Sequence, residues 1–267
     1  MKRLEAVIFD WAGTTVDHGS LAPVRALTEL FHRHGIPLND GDVRRDMGIF
    51  KKDHIGRILA IPGVESQWLE RTGHPPSELD VEALFTEFAP VQMKILEEYS
   101  SVIAGVAEVS ERLRSCGLRL GSTTGYTRPM LDVLVKQAAS EGYRPDLAYC
   151  PDDVNGGRPH PWMCLRIVLE FRLKSNAAAV KIGDTVSDVE EGLNAGMWVI
   201  GIAATGNEMG LSASDLAALP EDERRRRIQA ARSVLMQAGA HYVIDSVAHC
   251  EPVLDEIDDR LAAGERP

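Results

Sequence analysis

Leu4-Glu5-Ala6-Val7-Ile8-Phe9-Asp10-Trp11-Ala12-Gly13-Thr14-Thr15 is the stretch on which the fold turns. Leu4 to Asp10 is short, apolar and rich in β-forming residues, so it reads as a buried strand. Asp10 sets a carboxylate at the carboxyl tip of that strand, and the Gly13-Thr14 turn aims backbone N–H groups at an anion. Further along the chain, similar runs recur at Leu118 to Thr124, Leu147 to Cys150, Val180 to Asp184, Trp198 to Ile202 and His241 to Asp245. Helical patterns separate them, among them Val106 to Ser115, Arg128 to Ala139, Pro161 to Phe171 and Asp188 to Ala195. This alternation predicts an α/β core with a doubly wound, Rossmann-like parallel sheet. Pro129 and Pro161 suit first helical turns, Ser187 with Glu190 has capping-box spacing, and Gly117 and Gly196 stand where helices should stop.

The stretch from Leu21 to Tyr99 breaks the rhythm. It carries no convincing strand and reads as several helices parted by Gly35-Ile36-Pro37, Met47-Gly48, Pro62-Gly63 and Gly73-His74-Pro75-Pro76. The expected organisation is a catalytic core of residues 1–20 and 100–267 with an inserted α-helical cap domain of residues 21–99. Because one strand precedes the insertion, the cap hangs over the carboxyl end of that strand, where open α/β sheets bind ligands.

With 29 Lys and Arg against 40 Asp and Glu in 267 residues, the formal net charge is −11. Nucleic acid is therefore not an expected partner, since affinity for it begins with neutralised phosphates. The composition, 44% hydrophobic and 26% charged, is that of a folded globule. No stretch approaches the length needed to cross a bilayer, and the apolar run Ala6 to Phe9 is too short for a signal peptide, so a cytoplasmic protein is expected. Cys116, Cys150, Cys164 and Cys250 are widely separated without a CxxC pair, which argues for reduced thiols over zinc or disulfides. Glu221 to Arg227 reads as a solvated helix face.

The chemistry collects at the strand ends. Ser122-Thr123-Thr124-Gly125 gives a hydroxyl and a small residue at the second tip, Arg158 follows Gly156-Gly157 in a loop before a helix, and Gly183-Asp184 ends a strand four residues before Asp188. A nucleophile, a hydroxyl donor, a cation and two carboxylates thus share one sheet edge. Each alone is a common turn or cap residue; the order of all of them is not. In these motifs the chain resembles the haloacid dehalogenase-like superfamily of phosphotransferases. The resemblance implies Mg²⁺ held by Asp10, the backbone carbonyl of Ala12 and Asp184, with Asp188 orienting the metal's water shell. A hard dication prefers oxygen ligands and offsets repulsion between a carboxylate and an anionic phosphorus group. One position departs from the superfamily pattern: most of its phosphatases carry a second Asp where Ala12 stands, to protonate an oxygen leaving group, so ordinary ester hydrolysis is disfavoured.

The cap segment Asp46-Met47-Gly48-Ile49-Phe50-Lys51-Lys52-Asp53-His54 offers an alternative chemistry. Lys51 stands near a helix start; that helix end, with Lys52, Arg44 and Arg45, disfavours its protonated form and favours a nucleophilic amine. His54, three residues on, shares its helix face and could exchange a proton with it. Spacing alone does not say whether Lys51 or Lys52 faces the cleft. The set FDWAGTTVD, MGIFKKDH, GSTTGYTR, GGRPHPWM and GDTVSD resembles the phosphonatase branch of the superfamily, over core and cap alike and including Ala12. This implies hydrolysis of the C–P bond of phosphonoacetaldehyde through a Schiff base on Lys51 and an aspartyl phosphate on Asp10, with phosphonate bound by Arg158 and Thr124, and a homodimer. Gly125, Tyr126, Met47 and Gly48 are candidates to line the cleft. Apolar cap positions Leu27, Leu30, Phe31, Leu84, Phe85 and Phe88 are expected to leave some surface for a partner chain. The rivals are another cap-bearing phosphatase or mutase, a haloacid dehalogenase, and a non-catalytic phosphate-binding protein of the same fold.

Overall fold

Residue parity along the first strand explains why it lies in the middle of the sheet. In the computed structural model, which describes residues 3–267, Val7 and Phe9 join one apolar cluster while Ala6 and Ile8 join another. A strand that is apolar at every position needs cover on both faces, and parallel sheets provide it. The strands are β1 (Ala6–Phe9), β2 (Arg119–Thr123), β3 (Leu147–Tyr149), β4 (Ala179–Gly183), β5 (Trp198–Ile202) and β6 (Tyr242–Ile244), all paired parallel in the order β3-β2-β1-β4-β5-β6. The chain winds outward to both sides of β1, which makes the carboxyl ends of β1 and its neighbours the switch-point crevice.

Register then brings the strand tips together. Phe9 is level with Ser122 on β2 and with Ile182 on β4, so Asp10, Thr124 and Asp184 leave the sheet at nearly the same height. Beneath them Trp11 and Tyr143 meet edge to face at 5.5 Å, and the Trp11 indole N–H donates to the Ser122 hydroxyl at 3.0 Å.

Between β1 and α6 (Val106–Ser115) come five helices: α1 (Leu21–Arg33), α2 (Asp40–Arg44), α3 (Lys51–Leu59), α4 (Pro62–Thr72) and α5 (Glu78–Tyr99). Asp17 starts the first of them, its carboxylate accepting from the backbone N–H groups of Leu21 (3.0 Å) and Ala22 (2.9 Å). The apolar positions expected to remain for a partner do not: Leu27, Leu30, Phe31, Leu84 and Phe88 are buried within the chain and Phe85 packs partly buried against them. An amphipathic helix draws most of its stability from packing its apolar face, and these helices pack theirs against one another.

The remaining helices are α7 (Arg128–Ser140), α8 (Trp162–Phe171), α9 (Val186–Asn194), α10 (Ala213–Ala218), α11 (Glu221–Gln237) and α12 (Cys250–Ala262). The cap of α9 differs from expectation. Thr185 is the N-cap, with Asp188 completing the box, because the Ser187 hydroxyl is turned outward to the Met47 carbonyl of the insertion at 3.0 Å. On α11, Arg224 to Arg227 each pair with Glu221 or Glu223 on the exposed helix face, as a solvated face would. Among the described residues no helix is long and apolar enough to cross a membrane.

Candidate active site

At the crevice the core contributes a dense array of charge. Arg158 lies buried at the centre: one terminal nitrogen is 2.7 Å from Asp10, the other 3.0 Å from Asp188, and Nε is 2.9 Å from Glu191. It also donates to the Thr123 carbonyl and hydroxyl, each at 2.8 Å. Asp184 accepts from the Thr14 hydroxyl at 3.1 Å and the Asn207 backbone N–H at 2.7 Å. Thr124 turns its hydroxyl to the backbone N–H of Tyr126 at 3.2 Å.

The insertion closes this crevice from above. A small, partly open cavity is lined by Asp10, Ala12, Thr124, Gly125, Tyr126 and Arg158 from the core and by Met47, Gly48 and Lys51 from the insertion. Two glycines make the approach close enough. A Cβ on Gly125 would lie 2.5 Å from the Ile49 carbonyl oxygen and 2.6 Å from that of Gly48. Gly48 itself, at φ +90°, is pressed against the hydroxyls of Thr185 and Ser187.

The two neighbouring lysines part company here. Lys51 is 3% exposed, with its ammonium nitrogen 3.5 Å from the Met47 sulfur and 5.7 Å from the centre of the Tyr126 ring. Lys52 points away from the cavity and pairs with Glu82. Burial brings the Lys51 amine down to about 8, with Asp10 opposing the shift and Arg158 reinforcing it. The causes differ from those read in the sequence. Desolvation leads, and the cation that matters is Arg158 of the core, not Arg44, Arg45 or Lys52. His54 lies on the buried face of α3, its Nε2–H donating to the Val43 carbonyl at 2.8 Å while Nδ1 has no partner among the described residues. Burial, then the charge of Lys51, holds the imidazole down at about 3, so it is neutral, and it does not line the cavity.

Asp10, Asp184 and Asp188 present carboxylate oxygens within 4.8 Å of one another. Burial leads in raising Asp10 and Asp184 above the ordinary carboxylate range; the charge of Asp188 adds to it at Asp10, and the charges of Asp10 and Asp188 add to it at Asp184. Burial would raise Asp188 too, but Arg158 and Lys181 outweigh it. Asp10, despite its contact with Arg158, and Asp184 thus stay raised, and an all-oxygen donor set of this kind could hold a divalent cation. Asp188 already has its cations.

The haloacid dehalogenase-like hydrolase family matches residues 4–196. Curated relatives include phosphonoacetaldehyde hydrolase of Paraburkholderia xenovorans (strain LB400), 44% identical over the whole of both chains. That of Bacillus cereus (strain ATCC 10987 / NRS 248) is 42% identical over 96% of this chain and 97% of its own. A crystal structure of a phosphonoacetaldehyde hydrolase-like protein from Oleispira antarctica superposes with a TM-score of 0.98 at 42% identity, over 99% of this chain and 96% of that one. The chain belongs to the phosphonoacetaldehyde hydrolase family.

Within this phosphonoacetaldehyde hydrolase fold, several site residues escaped the sequence reading. Lys181 is fully buried in β4, 2.8 Å from Asp188, 3.3 Å from Glu191 and 3.0 Å from the Thr123 hydroxyl. Its signal was present: a lysine inside an otherwise apolar strand needs a buried partner. Glu191, one turn after Asp188 on α9, is the counter-ion for both Lys181 and Arg158. Asn207, which supports Asp184, lies in a loop with no motif to mark it. Ser20, Pro23 and Thr185 complete the cavity wall.

Proposed function

We propose that the chain hydrolyses the C–P bond of phosphonoacetaldehyde to acetaldehyde and phosphate, with Lys51 forming the Schiff base and Asp10 the aspartyl phosphate. The observation that carries the mechanism is the sharing of one small cavity by the buried amine of Lys51 and the carboxylate of Asp10. An unstabilised carbanion is a prohibitive leaving group. Lys51 attacks the aldehyde carbon, water leaves, and the resulting iminium can accept an electron pair. Asp10 then attacks phosphorus in line; the O–P bond forms as the C–P bond breaks, and the freed pair becomes the enamine. Water cleaves the acyl phosphate to phosphate and free Asp10. The enamine is protonated at carbon, and hydrolysis of the imine releases acetaldehyde and restores Lys51. In this scheme the iminium performs the activation for which a phosphatase would use a second Asp, which makes Ala12 intelligible.

Arg158, Thr124 and the backbone at Gly125 receive the phosphonate oxygens; Met47, Gly48 and Tyr126 enclose the aldehyde end. His54, kept neutral, is an acceptor beside Lys51 and not a stored proton. Asp10, the Ala12 carbonyl and Asp184 would hold Mg²⁺, which would supply the positive charge that offsets repulsion between a carboxylate and a phosphonate dianion. Asp188, held by Arg158 and Lys181, would orient the water shell of that ion. The same proposal takes residues 1–20 and 100–267 as the core and 21–99 as the cap, the assembly as a homodimer, and the cytoplasm as the compartment, in keeping with four free cysteines. Its small-molecule chemistry calls for neither nucleic acid nor membrane.

Borohydride added during incubation with phosphonoacetaldehyde or acetaldehyde tests the scheme. It should reduce the iminium to a stable amine, inactivate the protein and leave the added group on Lys51 in a peptide mass spectrum. Cleavage of phosphonoacetaldehyde with no trapped label would rule out the Schiff base; a label on Lys52 would move the assignment.

A further inference from the structure

Arg44 is the last residue of α2, and its side chain leaves the insertion for the core. Its Nη1 donates to the Gly19 carbonyl at 3.0 Å and to the Asn207 carbonyl and side-chain oxygen at 3.2 and 3.1 Å, and Nη2 reaches the Gly210 carbonyl at 3.4 Å. Asn207 returns a bond from its side-chain nitrogen to the Arg44 carbonyl at 3.2 Å. Gly210, at φ +63°, suits this contact, since the left-handed backbone favours glycine and a Cβ there would lie 2.8 Å from the guanidinium carbon and displace it. The backbone N–H of the same Asn207 donates to the Asp184 carboxylate at 2.7 Å. Downstream of Arg44, the chain runs through Met47 and Gly48 to Lys51 at the head of α3.

One guanidinium therefore joins the segment that delivers the amine to the loop that orients a carboxylate. We propose that Arg44 is the latch that holds the insertion closed on the core and, through Asn207, a positioning residue for Lys51 and Asp184 together. Guanidinium geometry suits the task, because several carbonyls are served at once from a planar fork. Hydrogen bonds to a charged donor are also among the stronger ones a protein makes. The consequence for turnover rests on Lys51 being the substrate lysine; the latch itself does not.

The test compares full-length wild type, Arg44→Ala and Arg44→Lys, treated without substrate with trinitrobenzenesulfonate at a single pH. Fragmentation mass spectrometry reads the modification rates of Lys51 and Lys52 from the same peptide, the exposed Lys52 serving as internal reference. Loss of the latch should raise the Lys51-to-Lys52 rate ratio about tenfold or more, as expected for removal of charged hydrogen bonds. Arg44→Lys should fall between, and kcat/KM for phosphonoacetaldehyde should drop in the same order. An unchanged ratio in an Arg44→Ala protein with a native circular dichroism spectrum overturns the proposal. Should that variant not fold, Asn207→Ala carries the same test, since it removes the side-chain half of the contact and keeps the backbone N–H on Asp184. A ratio that rises in the variants while the wild type fails to cleave phosphonoacetaldehyde supports the latch and sinks the assignment of Lys51.

Discussion

Lys51 shows how burial prepares a nucleophile. An amine brought down to about 8 by desolvation is partly neutral at physiological pH, whereas an exposed lysine is almost wholly protonated. Attack on the aldehyde needs the free base, so kcat/KM should rise with pH and level off above about 8, measurable by phosphate release across a buffer series. The same shift has a stability consequence of definite sign. Between about 8 and the ordinary lysine value of 10.5 the unfolded chain holds a proton that the folded chain has lost, so stability rises with pH through that window, and below it the full burial cost is present. Lys51→Met should therefore raise stability at pH 7 by roughly 3 kcal/mol, seen as a higher midpoint in urea, with the gain fading towards pH 10. Lys51→Arg keeps the charge but cannot condense with an aldehyde, so C–P cleavage should vanish, while Lys52→Arg should retain most activity. Asp10→Ala should lower phosphate release by on the order of 10⁴ or more, because the other carboxylates are held by Asn207 and Thr14 or by Arg158 and Lys181. Release near the wild-type rate would exclude Asp10 as nucleophile.

Where α3 meets the β2–α7 turn, function depends on two missing side chains. Gly125 faces the Gly48 and Ile49 carbonyls, and backbone cannot swing away as a side chain can. Gly125→Ala should push the start of α3, with Lys51, away from Asp10 by a few tenths of an ångström or more. Displacement on the order of 1 Å at a reacting group costs about 100-fold, so kcat/KM should fall by about that factor with little change in thermal midpoint. Gly63→Ala in α4 is the matched control, since a Cβ there meets nothing within 4 Å. Equal kinetics in the two variants would mean that the insertion does not need this close approach. The α9 start follows similar logic: Asp188 caps the helix and pairs with Lys181 and Arg158, so one carboxylate fixes an element and neutralises two buried cations.

Across the whole molecule, metal binding would be linked to stability through charge. Asp10 is raised by burial and by Asp188, Asp184 by burial, Asp10 and Asp188, and a dication held by Asp10 and Asp184 would relieve both. Removal of divalent ions with a chelator should abolish turnover, and restoring Mg²⁺ at about 100 times its dissociation constant should add ~2.7 kcal/mol to stability. Calorimetry reads the second effect without any substrate; equal melting with and without the ion would remove Asp10 and Asp184 from the metal site. The proposed homodimer is checked by sedimentation equilibrium. Since Leu27, Leu30, Phe31, Leu84 and Phe88 are consumed inside the chain, any partner must dock on other surface.

The architecture was legible in sequence because it rests on local rules. Apolar runs such as Ala6 to Phe9 specify buried strands, Gly117 and Gly196 stop helices with left-handed backbone, and strand-end position alone aligns Asp10, Thr124 and Asp184 once the strands pair in parallel. The insertion, too, was visible as a loss of alternation. Which lysine enters the cavity was not, since Lys51 and Lys52 share one helix start and only the docking of α3 against Gly125 separates them. Nor could sequence pair Lys181 with Asp188, Glu191 with Arg158, or Arg44 with Asn207: partners so far apart along the chain meet only through sheet order and cap closure. Local composition determines elements and their ends; the desolvation that tunes Lys51 and the ion pairs that balance Arg158 are properties of a closed, buried volume, and that volume exists only in the tertiary structure.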